Sequence, residues 1–176
     1  SSVAWAEDYN VYRTGGYGSF GVGYSNSDDS DDNLNPGSVV STATNSIVIG
    51  SNSVISGSSS IGLGLAVEVT TDHSVAIGSN ASVTGFNGVA IGAGAKANGS
   101  LSVALGKGSI ASEGNVVSVG VADDPATDEN EGVYRKIVNV EDGSINVDSH
   151  EAVTGGQLYD AYGIGKEFIN NNGSDL

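Results

Sequence analysis

The chain has no cysteine and no methionine, two prolines, and six basic residues against 21 acidic ones. Without cysteine there are no disulfides and no thiolate metal sites, and either redox compartment remains open. The formal net charge of −15, with the few basic residues scattered, excludes nucleic acid and anionic membrane as natural partners, because both need clustered Lys and Arg. No run of eighteen apolar residues occurs, so no helix of this chain is expected to span a bilayer. What is plentiful is glycine, with 27 residues, together with Val, Ile, Ala and Ser. That mixture, with so little proline, favours β-structure with many turns over a helical bundle. The opening Ala4-Trp5-Ala6 has the A-x-A form of a secretory signal's end, or belongs to an ordinary exposed terminus.

The glycines are ordered in sequence. Gly50, Gly64, Gly78, Gly92, Gly106 and Gly120 stand fourteen residues apart. Before each comes Ile49, Leu63, Ile77, Ile91, Leu105 or Val119, and three before each comes Ile47, Ile61, Val75, Val89, Val103 or Val117. Between these bulky columns runs a column of Val48, Gly62, Ala76, Ala90, Ala104 and Ser118. Six copies without a slip define a repeat architecture.

Residues two apart on a strand share a face. The two bulky columns therefore lie on one side and the small column on the other. Fourteen residues supply two short strands and two tight turns, one coil of a flattened solenoid. The second strands are expected at Ser53–Ile55, Val67–Val69, Ala81–Val83, Ala95–Ala97 and Ser109–Ala111. In-register stacking at roughly 4.8 Å makes six coils a rod about 29 Å long. On this reading the twelve bulky residues from Ile47 to Val119 fill the roll. The six glycines turn the chain, and Ala76, Ala90 and Ala104 face a neighbouring chain, since a slender solenoid gains core by oligomerising.

The S-V-A-I-G motif at this spacing resembles the head repeats of trimeric autotransporter adhesins, the YadA-like head, over Ser46 to Gly120. A divergent copy, Ser19-Phe20-Gly21-Val22-Gly23, resembles Ser60-Ile61-Gly62-Leu63-Gly64. The resemblance implies an all-β, left-handed parallel β-roll of fourteen-residue coils, homotrimeric, followed by a neck and the start of a stalk. Arg135, Ile137, Asn139 and Val140 match the family's neck motif R-x-I-x-N-V. Ala152, Val153, Gln157 and Leu158 match D-A-V-N-x-x-Q-L, with Glu151 for Asp and Thr154 for Asn. Gly155 and Gly156 depart from the more helical residues of the motif and are expected to loosen the helix start.

The expected organisation is a head over 1–120, with irregular first coils at 11–45, an acidic insertion at 24–37 and regular coils at 46–120. A neck with its own acidic insertion follows at 121–158, then the start of a stalk or another module at 159–176. Leu158, Tyr162, Gly165 and Ile169 offer one weak coiled-coil seam.

No catalytic site is expected. His73 and His150 each stand in a polar stretch, and neither has a second His or Cys at metal spacing. There is no G-x-S-x-G elbow, P-loop or dinucleotide fingerprint; the G-x-G strings sit inside repeats with no helix after them. Asp28, Asp29, Asp31, Asp32 and Asn33 offer oxygen ligands but lack the Glu and Gly of an EF-hand loop, so no metal and no cofactor is assigned. That insertion reads as a solvated loop, of the kind that carries recognition on rigid scaffolds.

Three functions compete. A left-handed β-helix acyltransferase would need eighteen residues per coil and an essential histidine. An ice-binding solenoid would need an unbroken Thr ladder, which Thr70, Thr84 and Thr127 do not make. An adhesive head on a bacterial outer membrane, multivalent for extracellular matrix, host cells or other microbes, fits best. The resemblance implies a role in virulence and places the anchor in a larger surface protein, since none is present here. Neither composition nor motif selects the ligand.

Overall fold

Each coil obeys the same local rule: three residues extend, a turn reverses the chain, two more extend, and a second turn returns it. The computed structural model describes residues 9–12, 19–24, 40–122 and 132–172. The acidic insertion from residue 25 onward, the Ala4-Trp5-Ala6 segment and most of the second acidic insertion lie outside the described residues.

Two sheets result. The first has eight strands: β1 (Tyr9–Tyr12), β2 (Phe20–Tyr24), β4 (Ile47–Ile49), β6 (Ile61–Leu63), β8 (Val75–Ile77), β10 (Val89–Ile91), β12 (Val103–Leu105) and β14 (Val117–Ser118). The second has six: β3 (Val40–Ser41), β5 (Val54–Ile55), β7 (Glu68–Val69), β9 (Ser82–Val83), β11 (Lys96–Ala97) and β13 (Ile110–Ala111). Pairing between coils is parallel and in register at the fourteen-residue period, as in Val75↔Val89↔Val103. The divergent copy takes its expected place: Phe20 pairs with Ile47 and Val22 with Ile49, across the whole acidic insertion. β1 then runs antiparallel on β2, occupying the edge that the parallel stack would leave open.

Burial reverses the expected faces. The small column is the interior: Val48, Ala76, Ala90 and Ala104 are fully buried, and Gly62 is buried with them. The bulky columns point outward, with Ile47, Ile49, Ile91, Leu105 and Val117 exposed and the others of the twelve half-buried. The assignment of these twelve residues to the roll core, and of Ala76, Ala90 and Ala104 to an interface, is therefore corrected. The reason is width. Two sheets closed by tight turns leave room for one small first-strand residue per coil opposite two from the second strand, such as Val67 and Val69 or Ala81 and Val83. The filling is complementary: at Gly62 an added Cβ would come within 2.6 Å of Ile55 Cδ1.

The remaining interior is polar and satisfied. Ser46, Ser60, Ser74 and Ser102 are buried beside the first strands, Ser53 and Ser109 beside the second. The Ser46 hydroxyl accepts the Ser60 amide at 3.2 Å and donates to Gly57 C=O at 3.2 Å; Ser60 does the same for Ser74 N–H and Thr71 C=O, at 3.1 Å each. The Ser46, Ser53 and Ser60 hydroxyls thus bond one coil to the next, while Ser74, Ser102 and Ser109 donate to carbonyls of their own coil; either way the cost of burying the hydroxyl is removed.

The turn glycines stack. Gly78 has φ +128°, and a Cβ there would lie 2.6 Å from the Gly92 carbonyl carbon. Conformation and crowding both require glycine. The chain divides into two units, Ser1–Arg135 and Lys136–Leu176, and the second contains the helix α1 (Gly155–Asn172).

Candidate assembly face and roll end

The first sheet's outer surface is a continuous aliphatic face. Its outward positions from β4 to β12 are Ile47 and Ile49, Ile61 and Leu63, Val75 and Ile77, Val89 and Ile91, Val103 and Leu105. In the single chain, exposure reaches 42% at Ile47, 45% at Leu105 and 69% at Val117. A soluble chain does not leave such a stripe to water without a use for it. The second sheet looks different outside: Glu68 and Lys96 are exposed there, alongside Ser56, Thr70, Thr84, Asn98 and Ser112. The roll has one aliphatic side and one largely polar side, on which Val54 is exposed and Ile110 half-buried.

The last coil ends on Arg135. Within the array, Ala93 C=O accepts Gly108 N–H from the next coil at 2.9 Å. One coil on, the equivalent Lys107 C=O accepts instead from Arg135 Nη2 at 2.6 Å. Arg135 Nη1 also donates to Val119 C=O and, at 3.0 Å, to Ser109 Oγ. An added Cβ on Gly106 would meet Arg135 Cζ at 3.2 Å, where the earlier turn glycines meet the next coil's backbone. The guanidinium thus stands in for a missing coil, and an antiparallel bridge between Val121 and Val133 brings it there.

The second unit is held by side chain to backbone bonds. Thr154 Oγ1 accepts Gln157 N–H at 3.3 Å while Gln157 Oε1 accepts Thr154 N–H at 3.1 Å, a capping box that starts α1. Gln157 also bonds both the N–H and C=O of Gly143, at 3.0 and 2.6 Å. The helix therefore begins at Gly155 itself, and the expected loosening by Gly155 and Gly156 is offset by this cap. Glu151 Oε2 accepts Ser144 N–H at 2.7 Å, which holds its carboxyl below the usual value. Such a contact is present above the ordinary Glu range and is lost as pH falls through the lowered pKa. The apolar neck residues find little cover within the unit: Ile137, Val140, Ala152, Val153 and Leu158 are exposed, and Asn139 takes φ +60°.

His73 and His150 are both exposed and far from forming a cluster; His73 sets its ring edge-on to Phe86 at 6.0 Å. Among the described residues no group of three His, Cys, Asp or Glu is placed to hold a metal. Reading the sequence missed the serine ladder, although Ser46, Ser60, Ser74 and Ser102 keep the same period as the glycines. It also missed the left-handed turn positions, which Asn45, Asn52, Asn80, Asn87 and Asn115 occupy with φ between 54° and 60°.

The chain is thus a fourteen-residue parallel roll with an aliphatic outer face on one sheet, a largely polar one on the other, and a capped end. Residues 56–81, 84–109 and 97–120 match the YadA head domain repeat. Over those residues the roll is built of repeats of the YadA head type. Among solved structures, the collagen-binding domain of the Yersinia adhesin YadA is similar at 25% identity, with a TM-score of 0.43 over 71% of each chain. No curated protein matches the chain.

Proposed function

We propose that this chain is a homotrimeric adhesive head. Three rolls bring their aliphatic faces together, and the polar second sheets face outward to meet extracellular matrix or a cell-surface receptor. The observation that carries this is the unbroken Ile, Leu and Val content of the first sheet's outward columns, exposed at Ile47, Ile49, Ile91, Leu105 and Val117 and half-buried at the others in the single chain. Residues 1–120 serve as the head, 121–158 as the neck and 159–176 as the start of a stalk or a further module. The neck supports the same reading, since Ile137, Val153, Leu158 and Tyr162 are each more than half exposed and need partners. The role is binding rather than catalysis: the family is one of adhesins, and three copies of a weak outward face multiply its affinity without a deep site. The wider protein is anchored in the outer membrane.

Light scattering and solid-phase binding test this together. The expected mass is three times 17.5 kDa, with the trimer retained on at least one immobilised matrix protein and a monomeric variant not retained. A folded chain of 17.5 kDa overturns the reading.

A further inference from the structure

The two turn edges of the roll are not alike. On the edge that precedes the first-sheet strands, His73, Phe86 and Leu101 lie on successive coils, all exposed, Phe86 at 48% and Leu101 at 55%. Backbone bonds tie them into one ladder: Asn87 N–H donates to Asp72 C=O and Leu101 N–H to Phe86 C=O. His73 and Leu101 are in the left-handed region, at φ 54° and 57°. Other coils fill that position with Asn45, Ser59, Asn87 and Asn115, and asparagine adopts it with little strain. A leucine there bears backbone strain and, in the single chain, gains no burial. The opposite edge puts Asn52, Ala66, Asn80, Gly94 and Gly108 at its left-handed positions, with Leu65 its one large apolar side chain among the described residues.

This edge, polar at Thr44, Ser59, Asp72 and Ser100 but carrying the exposed Phe86 and Leu101, is continuous with the aliphatic face. His73 stands two residues before Val75 and Leu101 two before Val103, each separated only by a buried serine. In a three-fold ring the contact is heterologous, so the two borders of one face have different surroundings. Tilting the three faces like a pinwheel covers one edge of each roll and turns the other to solvent.

We propose that the His73–Phe86–Leu101 edge is an inter-protomer contact, folded onto the aliphatic face of the next copy, while the Leu65 edge remains open to solvent and to ligand. This rests on the trimeric reading above. Its occupant is a second copy of this chain, because the edge extends the face already assigned to that copy.

The absence of cysteine makes the test clean. Phe86→Cys, Leu101→Cys and Leu65→Cys are made singly in the full chain, the mass of each is measured, and maleimide labelling is timed. Labelling at 86 and 101 is expected at least about tenfold slower than at 65, as water is excluded from an interface core. Loss of the trimer in the 86 and 101 variants but not in the 65 variant is the same result in another form. A trimer that labels as fast at 86 and 101 as at 65, or faster, overturns the proposal and leaves the trimer standing. A monomeric parent chain overturns both.

Discussion

At the scale of the residue, neighbours in sequence have opposite duties. Ala90 is fully buried between the two sheets, and Ile91, one position on, is 38% exposed on the outer face. Ala90→Glu places a carboxylate in a dry interior with no partner, which costs about 3–5 kcal/mol. The expected outcome is a roll that melts far below the parent, followed by circular dichroism; an unchanged melting curve contradicts the interior assignment. The period-two rule separated these columns correctly from sequence, since Ala90 and Ile91 do lie on opposite faces. It could not say which face is inside. The rule that large apolar residues go in fails here because the coil is too narrow to hold them. Val48, Gly62 and Ala76 fill the space left by their second-sheet neighbours, a volume set by the closure of both turns and not by any one strand.

At the scale of the element, each coil contacts only its neighbours, so the array is as stable as its ends allow. At one end β1 pairs with β2; at the other Arg135 bonds Lys107 C=O, Val119 C=O and Ser109 Oγ. Arg135→Ala removes three hydrogen bonds from a charged donor and is expected to cost the last coil about 1–3 kcal/mol. Amide exchange at Ile110 and Gly120 should then quicken about tenfold or more, while coils around Ile61 and Val75 keep their parent rates. Equal rates along the whole roll contradict the capping role. The strand positions were legible because glycine, bulky and small columns recur without a slip, and the pairing of Phe20 with Ile47 followed from one divergent copy. The cap was legible only as a motif: Arg135 belongs to the neck pattern, but what it bonds depends on 28 residues of chain folding back to Lys107. The helix start was misjudged for a similar reason. Gly155 and Gly156 weaken a helix by themselves, and the reciprocal Thr154–Gln157 bonds compensate at a spacing that the sequence does display.

At the scale of the whole molecule, a slender interior of Ala, Val and Ser and a broad exterior of Ile, Leu and Val fit the trimer proposed above, in which each roll completes its core against its neighbours. The corrected faces favour the proposed trimer, because its interface would then be made of large aliphatic side chains in place of alanine. Burial at about 25 cal/mol per Å² favours assembly through such a face far more than through a methyl ladder. The ligand was not legible, and the polar second sheet shows why: Ser, Thr, Asn, Glu and Lys at repeating positions suit many surfaces. The most direct test of the assembly face is the solution mass of Ile91→Asp beside the parent. The parent is expected at three times 17.5 kDa, and Ile91→Asp at 17.5 kDa with an unchanged β-sheet circular dichroism spectrum. An Ile91→Asp chain that remains at three times 17.5 kDa would contradict the central claim that the aliphatic face joins the protomers.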